Sequence, residues 1–186
     1  AADRLSEQIA TMTLLIIYVV VALLFSFLCS ILEAVLLSVT TAHINVLEQE
    51  GKSAGPLLRK LKADINKPLA AILTLNTIAH TVGAVGAGAQ AVVVFGDKWV
   101  GLISAVLTLM ILIFSEIIPK TLGATYWRAL SSASAYTLKF MMRVLAPFVA
   151  LSEMLTRRLS KESTIEGFSR EEFAAMADLG EQEGQL

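Results

Sequence analysis

Cysteine is almost missing from this chain: Cys29 is the single thiol in 186 residues. One thiol excludes an intrachain disulfide and leaves the redox compartment open. No heptad pattern and no internal repeat stands out, so neither a coiled coil nor a repeat array is indicated. Net charge is nearly missing too, at −1, and that value says little about partners. Charge vanishes altogether over the sixteen residues "VGLISAVLTLMILIFS" (100–115). No small-residue cleavage site follows the first apolar stretch, which also exceeds the roughly 7–15 residues of a signal-peptide core.

What is present is apolar surface. The chain is 55% hydrophobic with a mean hydropathy of +0.69, above the roughly 45–50% apolar content of an ordinary soluble domain. A bilayer core about 30 Å thick needs ~20 apolar residues per helix. Three segments reach that length: "ATMTLLIIYVVVALLFSFLCSILEAVLLSV" (10–39), "PLAAILTLNTIAHTVGAVGAGAQAVVVF" (68–95) and "WVGLISAVLTLMILIFSEIIPKTLGA" (99–124). The fold class expected is therefore an all-α integral membrane protein with three transmembrane helices per subunit.

Lys and Arg gather on the cytoplasmic side of short loops. The N-terminal tail (1–9) holds only Arg4, and the hairpin between spans two and three only Lys98. Lys52, Arg59, Lys60, Lys62 and Lys67 fall in or beside the 40–67 connection, and a second basic stretch follows span three. The N-terminus is thus expected outside and the C-terminus in the cytoplasm, as a multi-pass protein of the cell (inner) membrane. A fourth span at 130–151 would put Lys139 and Arg143 mid-membrane, at about 2.5–3.5 kcal/mol each. Residues 126–160 read instead as an amphipathic juxtamembrane helix with its apolar face in lipid, bent at Pro147. The 41–66 stretch reads as two shorter amphipathic helices parted at "GKSAG". Together, residues 10–161 form the expected transmembrane domain. The tail 162–186 is acidic, with Ser169 before Glu172 in a capping-box arrangement. It reads as a cytoplasmic linker, and the chain as part of a longer polypeptide.

Polar groups inside a span are costly and are functional candidates by default. Span one offers Ser26, Ser30 and Glu33 on one helical face. Span two offers Asn76, His80, Gly83 and Gln90 on one face, with Thr77 and Thr81 beside it; span three offers Ser115 and Glu116. A rise of ~1.5 Å per residue puts Glu116 ~24 Å from Val100, about 6 Å short of the inner edge of the core. Ser26 and Ser30 fall at ~22 and ~28 Å from Thr11, and Asn76 lies ~12 Å from the cytoplasmic edge. Oxygen donors from three helices thus converge on the inner half of the bilayer. Pro119 removes the amide hydrogen that would bond the Ser115 carbonyl, so a kinked third span frees that oxygen beside Glu116. Hydroxyls, an amide oxygen, a carbonyl and carboxylates suit a hard cation, Mg²⁺, Ca²⁺ or Na⁺, rather than zinc or copper.

Plainer readings compete residue by residue. Serines in spans often bond back to their own helix or to a neighbour. The small-residue stripe at Ala79, Gly83 and Ala87 fits close helix packing. Glu116 and Lys120, four apart, fit a structural ion pair. Glu33 fits a solvated or paired carboxylate, and His80 either a relay or a cross-helix hydrogen bond.

The string "SEIIPKTLGATY" (115–126) closely resembles the signature of the domain of unknown function 21, the membrane domain of the CNNM/CorC magnesium transporters. "FSFLCSILEAVLLSVTTAHINVLEQEG" (25–51), "ILTLNTIAHTVGAVGAGAQA" (72–91) and "FSREEFAAMADLGEQEG" (168–184) resemble the same family, so the likeness covers nearly the whole chain. It implies a homodimer, an inward-facing acidic cavity and a dehydrated Mg²⁺ held by residues resembling Ser26, Ser30, Asn76 and Glu116. Glu33, Thr77, His80, Ser115, Pro119 and Lys120 then line the pathway or support the ligands. Many bacterial relatives read G-N-N where this chain reads Leu75-Asn76-Thr77, which leaves the contribution of span two open. Relatives continue into paired CBS modules that bind ATP with Mg²⁺, and the chain stops short of these. The leading expectation is Mg²⁺ efflux, Na⁺-coupled as the family implies. A non-transporting Mg²⁺ sensor or anchor and a cation/proton exchanger are the alternatives. No enzymatic activity and no nucleic-acid partner are expected.

Overall fold

Residues 2–160 are described by the computed structural model, and every regular element among them is helical. Helix α1 (Ala2–Ser38) is followed by α2 (Thr41–Gln49), α3 (Ala54–Ala63) and α4 (Asn66–Phe95). A 3₁₀ turn (Asp97–Trp99) leads into α5 (Val100–Met110), a π-helical segment (Ile111–Ile117) and α6 (Ile118–Thr125); α7 (Trp127–Val144) and α8 (Ala146–Ser160) close the series. Three helical stretches are long and apolar enough to cross a membrane: Ile9–Ser38, Asn66–Phe95 and Asp97–Thr125. The chain is a membrane protein, all-helical among the described residues. The span boundaries expected from composition hold to within a few residues. The tail before residue 10 is itself helical from Ala2 and runs into the first span, which begins at Ile9.

The spans are helices because a backbone in hydrocarbon has to satisfy its own hydrogen bonds. Polar side chains follow the same rule. Thr11, Thr13, Thr74, Thr108 and Thr121 each donate to the carbonyl four residues back. Leu14, Ile16, Ile17, Leu73, Val85, Val93, Leu102 and Leu109 point outward, as lipid-facing residues would. Gly96, at φ +78, ends α4 in a conformation that suits glycine, and the 3₁₀ turn behind it starts α5. Exposed Trp99 at one end of the third span and Tyr126 at the other sit where aromatic belts form.

At 37 residues α1 is about 55 Å long, well beyond a ~30 Å hydrocarbon core. Its C-terminal turns are covered by protein. Leu32, Val35, Leu36 and Val39 join Ile44 and Leu47 of α2, Leu58 and Leu61 of α3, and Ala135, Leu138 and Met141 of α7 in the main core. One face of α7 (Ser131, Ser134, Ala135, Leu138, Met141) is buried by protein. Small residues at 131, 134 and 135 let the helix approach closely, while Tyr136, Phe140 and Val144 stay exposed on another face. The bend expected at Pro147 occurs as a break at Leu145, with Pro147 second in α8 where its missing N–H costs nothing.

Helices α2 and α3 part where expected, with Gly51 in the turn at φ +69. Arg59 bridges them, donating from Nε and Nη2 to Glu48 at 2.8 and 2.6 Å and from Nη2 to Asn45 Oδ1 at 2.7 Å. Helix α2 is tied to α7 through His43, 3.1 Å from Ser131 Oγ and edge-on to Trp127. The chain divides after Ser152; from Glu153 it forms a second unit, described only as far as the end of α8. The expected linker at 162–186, with its capping box, lies outside the described residues.

Candidate cation site

Spans one and two pack antiparallel with a register that can be followed turn by turn. A Cβ on Gly86 would strike the Tyr18 ring, and one on Gly83 would strike the Cβ of Ala22. One turn on, Ser26 Oγ lies 2.6 Å from His80 Nε2. The next step of the same register sets Ser30 opposite Asn76. The small-residue stripe is close packing, as its plainer reading held, and it brings the polar residues of the two helices level. His80 makes the cross-helix bond rather than standing free.

Spans one and three run parallel, and Pro119 governs their contact. Ser30 Oγ donates to the Ser115 carbonyl at 2.5 Å, the oxygen for which Pro119 carries no N–H. Ser115 Oγ in turn reaches the Leu23 carbonyl at 3.4 Å. All three serines are buried. The expected kink takes a particular form: the turns before Pro119 widen into a π-helix, and Ile118 N–H donates to Ile113 O, five residues back. Such segments are rare and recur at functional sites. Beyond it, α6 presses on α1 so closely that a Cβ at Gly123 would lie 2.8 Å from Ala34 Cβ and 2.9 Å from Ile31 O.

The wider turn also changes which charges meet. An unbroken α-helix would stack Lys120 on Glu116. Here Lys120 Nζ lies 3.3 Å from Glu33 Oε2 on α1, so the Glu116–Lys120 pair is not formed. Glu33 is the paired carboxylate of the two. Glu116 is half-buried and has no hydrogen bond or ion pair among the described residues. Asn76 Oδ1 is buried with no partner, an arrangement that ordinarily costs about 1–3 kcal/mol. A 340 Å³ cavity opens beside it, lined by Glu33, Asn66, Ile72, Leu73, Asn76 and Ser152 among others. Thr77 is exposed on α4 and does not face Ser30.

No group of three or more His, Cys, Asp or Glu side chains gathers among the described residues. What gathers is oxygen: two serine hydroxyls, an amide carbonyl and a backbone carbonyl from three helices, with an unpaired carboxylate next in sequence. A hydroxyl that donates one bond keeps lone pairs for a cation. With His80 Nε2 as acceptor, Ser26 does the same. This donor set fits a hard cation and offers no thiolate or imidazole cluster for a soft one. Elsewhere, a 120 Å³ cavity between α1, α4 and α5 is lined by Ala22, Gly83, Ala87 and Leu107 without a charge, the kind of space that stays dry. Asn66 and Ser152 were not singled out in the sequence. Both lie outside the apolar runs, and no local pattern marks α8 as returning to α4.

Comparison with known proteins agrees with this architecture. A family model described as the Cyclin M transmembrane N-terminal domain matches residues 16–186. The UPF0053 protein sll1254 of Synechocystis sp. is 33% identical over 166 residues, 89% of this chain and 48% of that protein. A UPF0053 protein of Haemophilus influenzae is 28% identical over 153 residues, 82% of this chain and 36% of the relative. The UPF0053 inner membrane protein YfjD of Escherichia coli is 23% identical over 129 residues, covering 69% and 30%. The chain spans about half the length, or less, of these curated relatives. Since the model match runs from Ile16 through the last residue, the chain belongs to the Cyclin M (CNNM) transmembrane-domain family.

Proposed function

We propose that this chain is the membrane domain of a Mg²⁺ transporter working in the export direction, coupled to Na⁺, and acting as a homodimer. The observation that carries the reading is the buried, unpartnered Asn76 Oδ1, level with Ser30 and the Ser115 carbonyl, with the next residue in the chain, Glu116, lacking a counter-charge. An empty acceptor and an uncompensated carboxylate are each unfavourable in an apolar setting. A cation bound between them removes both penalties at once. Glu116 supplies the counter-charge, while Asn76, Ser26 and Ser30 replace hydration oxygens. Mg²⁺ sheds water reluctantly and demands near-octahedral geometry, which a set of oxygens fixed by helix packing is suited to provide.

Only 6% of the most apolar window of the third span is buried within the chain, which supports a partner subunit or lipid against it. The basic stretches favour the N-terminus outside and the C-terminus in the cytoplasm. The inner-membrane name of the Escherichia coli relative favours that membrane. ATP would act only through a cytoplasmic module beyond this domain, and the chain itself is not an enzyme.

A second reading draws on α1, which bears Ser26 and Ser30 and then ends in the core shared with α2, α3 and α7. An ion bound at those serines would be structural, and its occupancy would be passed to the basic end of the bundle as a sensor signal. Proteoliposomes of the complete transporter loaded with a Mg²⁺ indicator separate the two. Flux in the wild type that is lost in Glu116→Ala, with fold and dimer intact, is the expected result. A wild type that binds Mg²⁺ but moves none supports the sensor and overturns transport.

A further inference from the structure

Lys120 is tied to a carboxylate that borders the cavity beside Asn76. Its partner Glu33 borders the 340 Å³ cavity whose lining also includes Asn76, so an ion in that cavity lies within reach of the Glu33 carboxylate. That carboxylate already holds a cation, Lys120 Nζ at 3.3 Å. The pair is half-open to its surroundings, with the lysine side chain 47% and the glutamate 33% exposed. Neither residue is wedged in place. Neither side chain is enclosed by protein, so the ammonium can leave the carboxylate without unpacking a core.

We propose that Lys120 is a tethered competitor, a positioning residue that occupies Glu33 until a divalent ion displaces it. This rests on the cation-site reading above and adds a selectivity role to it. The electrostatic reason is valence. A monovalent ion that displaces the ammonium replaces one unit charge by another and gains little at Glu33. A divalent ion brings twice the charge to the same carboxylate, so the exchange favours it. The π-helical segment is what makes the device possible, because it turns Lys120 away from Glu116 and onto α1. Glu116 is thereby left for the ion, and Glu33 is guarded. The other neighbours at the cavity, Asn66 and Ser152, carry no charge.

The test is calorimetric titration of the complete chain in detergent with Mg²⁺, at low and at physiological NaCl. Removing the lysine charge in K120Q is expected to tighten Mg²⁺ binding by at least about twofold, the low end being what a water-exposed pair represents. K120M, also uncharged, should match it. K120R keeps the charge and should retain wild-type affinity. NaCl should compete more strongly against K120Q than against wild type. In an E33Q background, where the lysine has nothing to guard, K120Q should change nothing further. Unchanged or weaker binding in K120Q, or an equal gain with Glu33 already neutralised, overturns the proposal while leaving the cation site standing. A wild type that binds no Mg²⁺ overturns the transport reading, and this inference with it.

Discussion

Ser30→Ala removes the hydroxyl that donates to the Ser115 carbonyl at 2.5 Å. Ser30 is 2% exposed and Ser115 fully buried, so water cannot take over the bond. Stranding a buried acceptor costs about 1–3 kcal/mol. Interhelical side-chain bonds in membranes average nearer 0.6 kcal/mol, with a maximum of about 1.7. A loss of about 1–1.5 kcal/mol is therefore expected. The informative partner is Pro119→Ala, which restores an N–H able to bond the same carbonyl. In that background Ser30→Ala should cost no more than about 0.5 kcal/mol, because the acceptor is no longer stranded. Unfolding free energies of the four proteins in bicelles close the cycle. An additive result, with a coupling below about 0.3 kcal/mol, would refute the claim that Ser30 substitutes for the amide hydrogen that proline lacks.

Three further outcomes follow from the geometry. Asn76→Leu removes a buried, unpartnered oxygen, so the variant should unfold at an equal or higher temperature while losing all Mg²⁺-dependent stabilisation; a destabilised variant that still responds to Mg²⁺ would contradict this. Gly123→Ala puts a methyl 2.8 Å from Ala34 Cβ and 2.9 Å from the Ile31 carbonyl, and prising α6 from α1 should cost about 1–3 kcal/mol in the same unfolding assay. On the α2–α3 hairpin, hydrogen bonding from Arg59 holds the Glu48 carboxyl below its ordinary value of 4.5. A depressed folded value means that the added stability is complete above about that pH and is lost as pH falls through the folded value. Amide protection factors in α2 and α3, corrected for the intrinsic pH dependence of exchange, should thus fall on acidification below pH 4.5, stay flat between neutral and mildly acidic pH, and lose their acid dependence in Glu48→Gln.

Much of the architecture was legible because hydrocarbon imposes strict terms. Apolar runs of span length have to be helices, and "GKSAG" and Gly96 supply the breaks between them. The link from Pro119 to a freed Ser115 carbonyl was legible too, since it follows from one missing hydrogen. What was not legible depends on phase and on distant packing. The Glu116–Lys120 spacing presumes an unbroken α-helix, and the π-helical segment rotates everything after it, sending Lys120 to Glu33. That Leu32, Val35 and Leu36 of α1 cover a second, small-residue face of α7 is a tertiary fact. As ligands, Ser26 and Ser30 each start at a disadvantage to the plainer reading, hydroxyls that bond their own or a neighbouring helix. Both make cross-helix bonds, and their remaining lone pairs keep the first role open.

The most direct measurement is a crystal or cryo-EM structure of the complete transporter with Mn²⁺ standing in for Mg²⁺, read by anomalous scattering or by loss of density on chelation. A divalent ion is expected within about 2.0–2.3 Å of Asn76 Oδ1 and a Glu116 oxygen, with Lys120 swung away from Glu33. An ion held only at Glu33, or Asn76 Oδ1 and Glu116 each satisfied by protein groups with no metal between them, would contradict it.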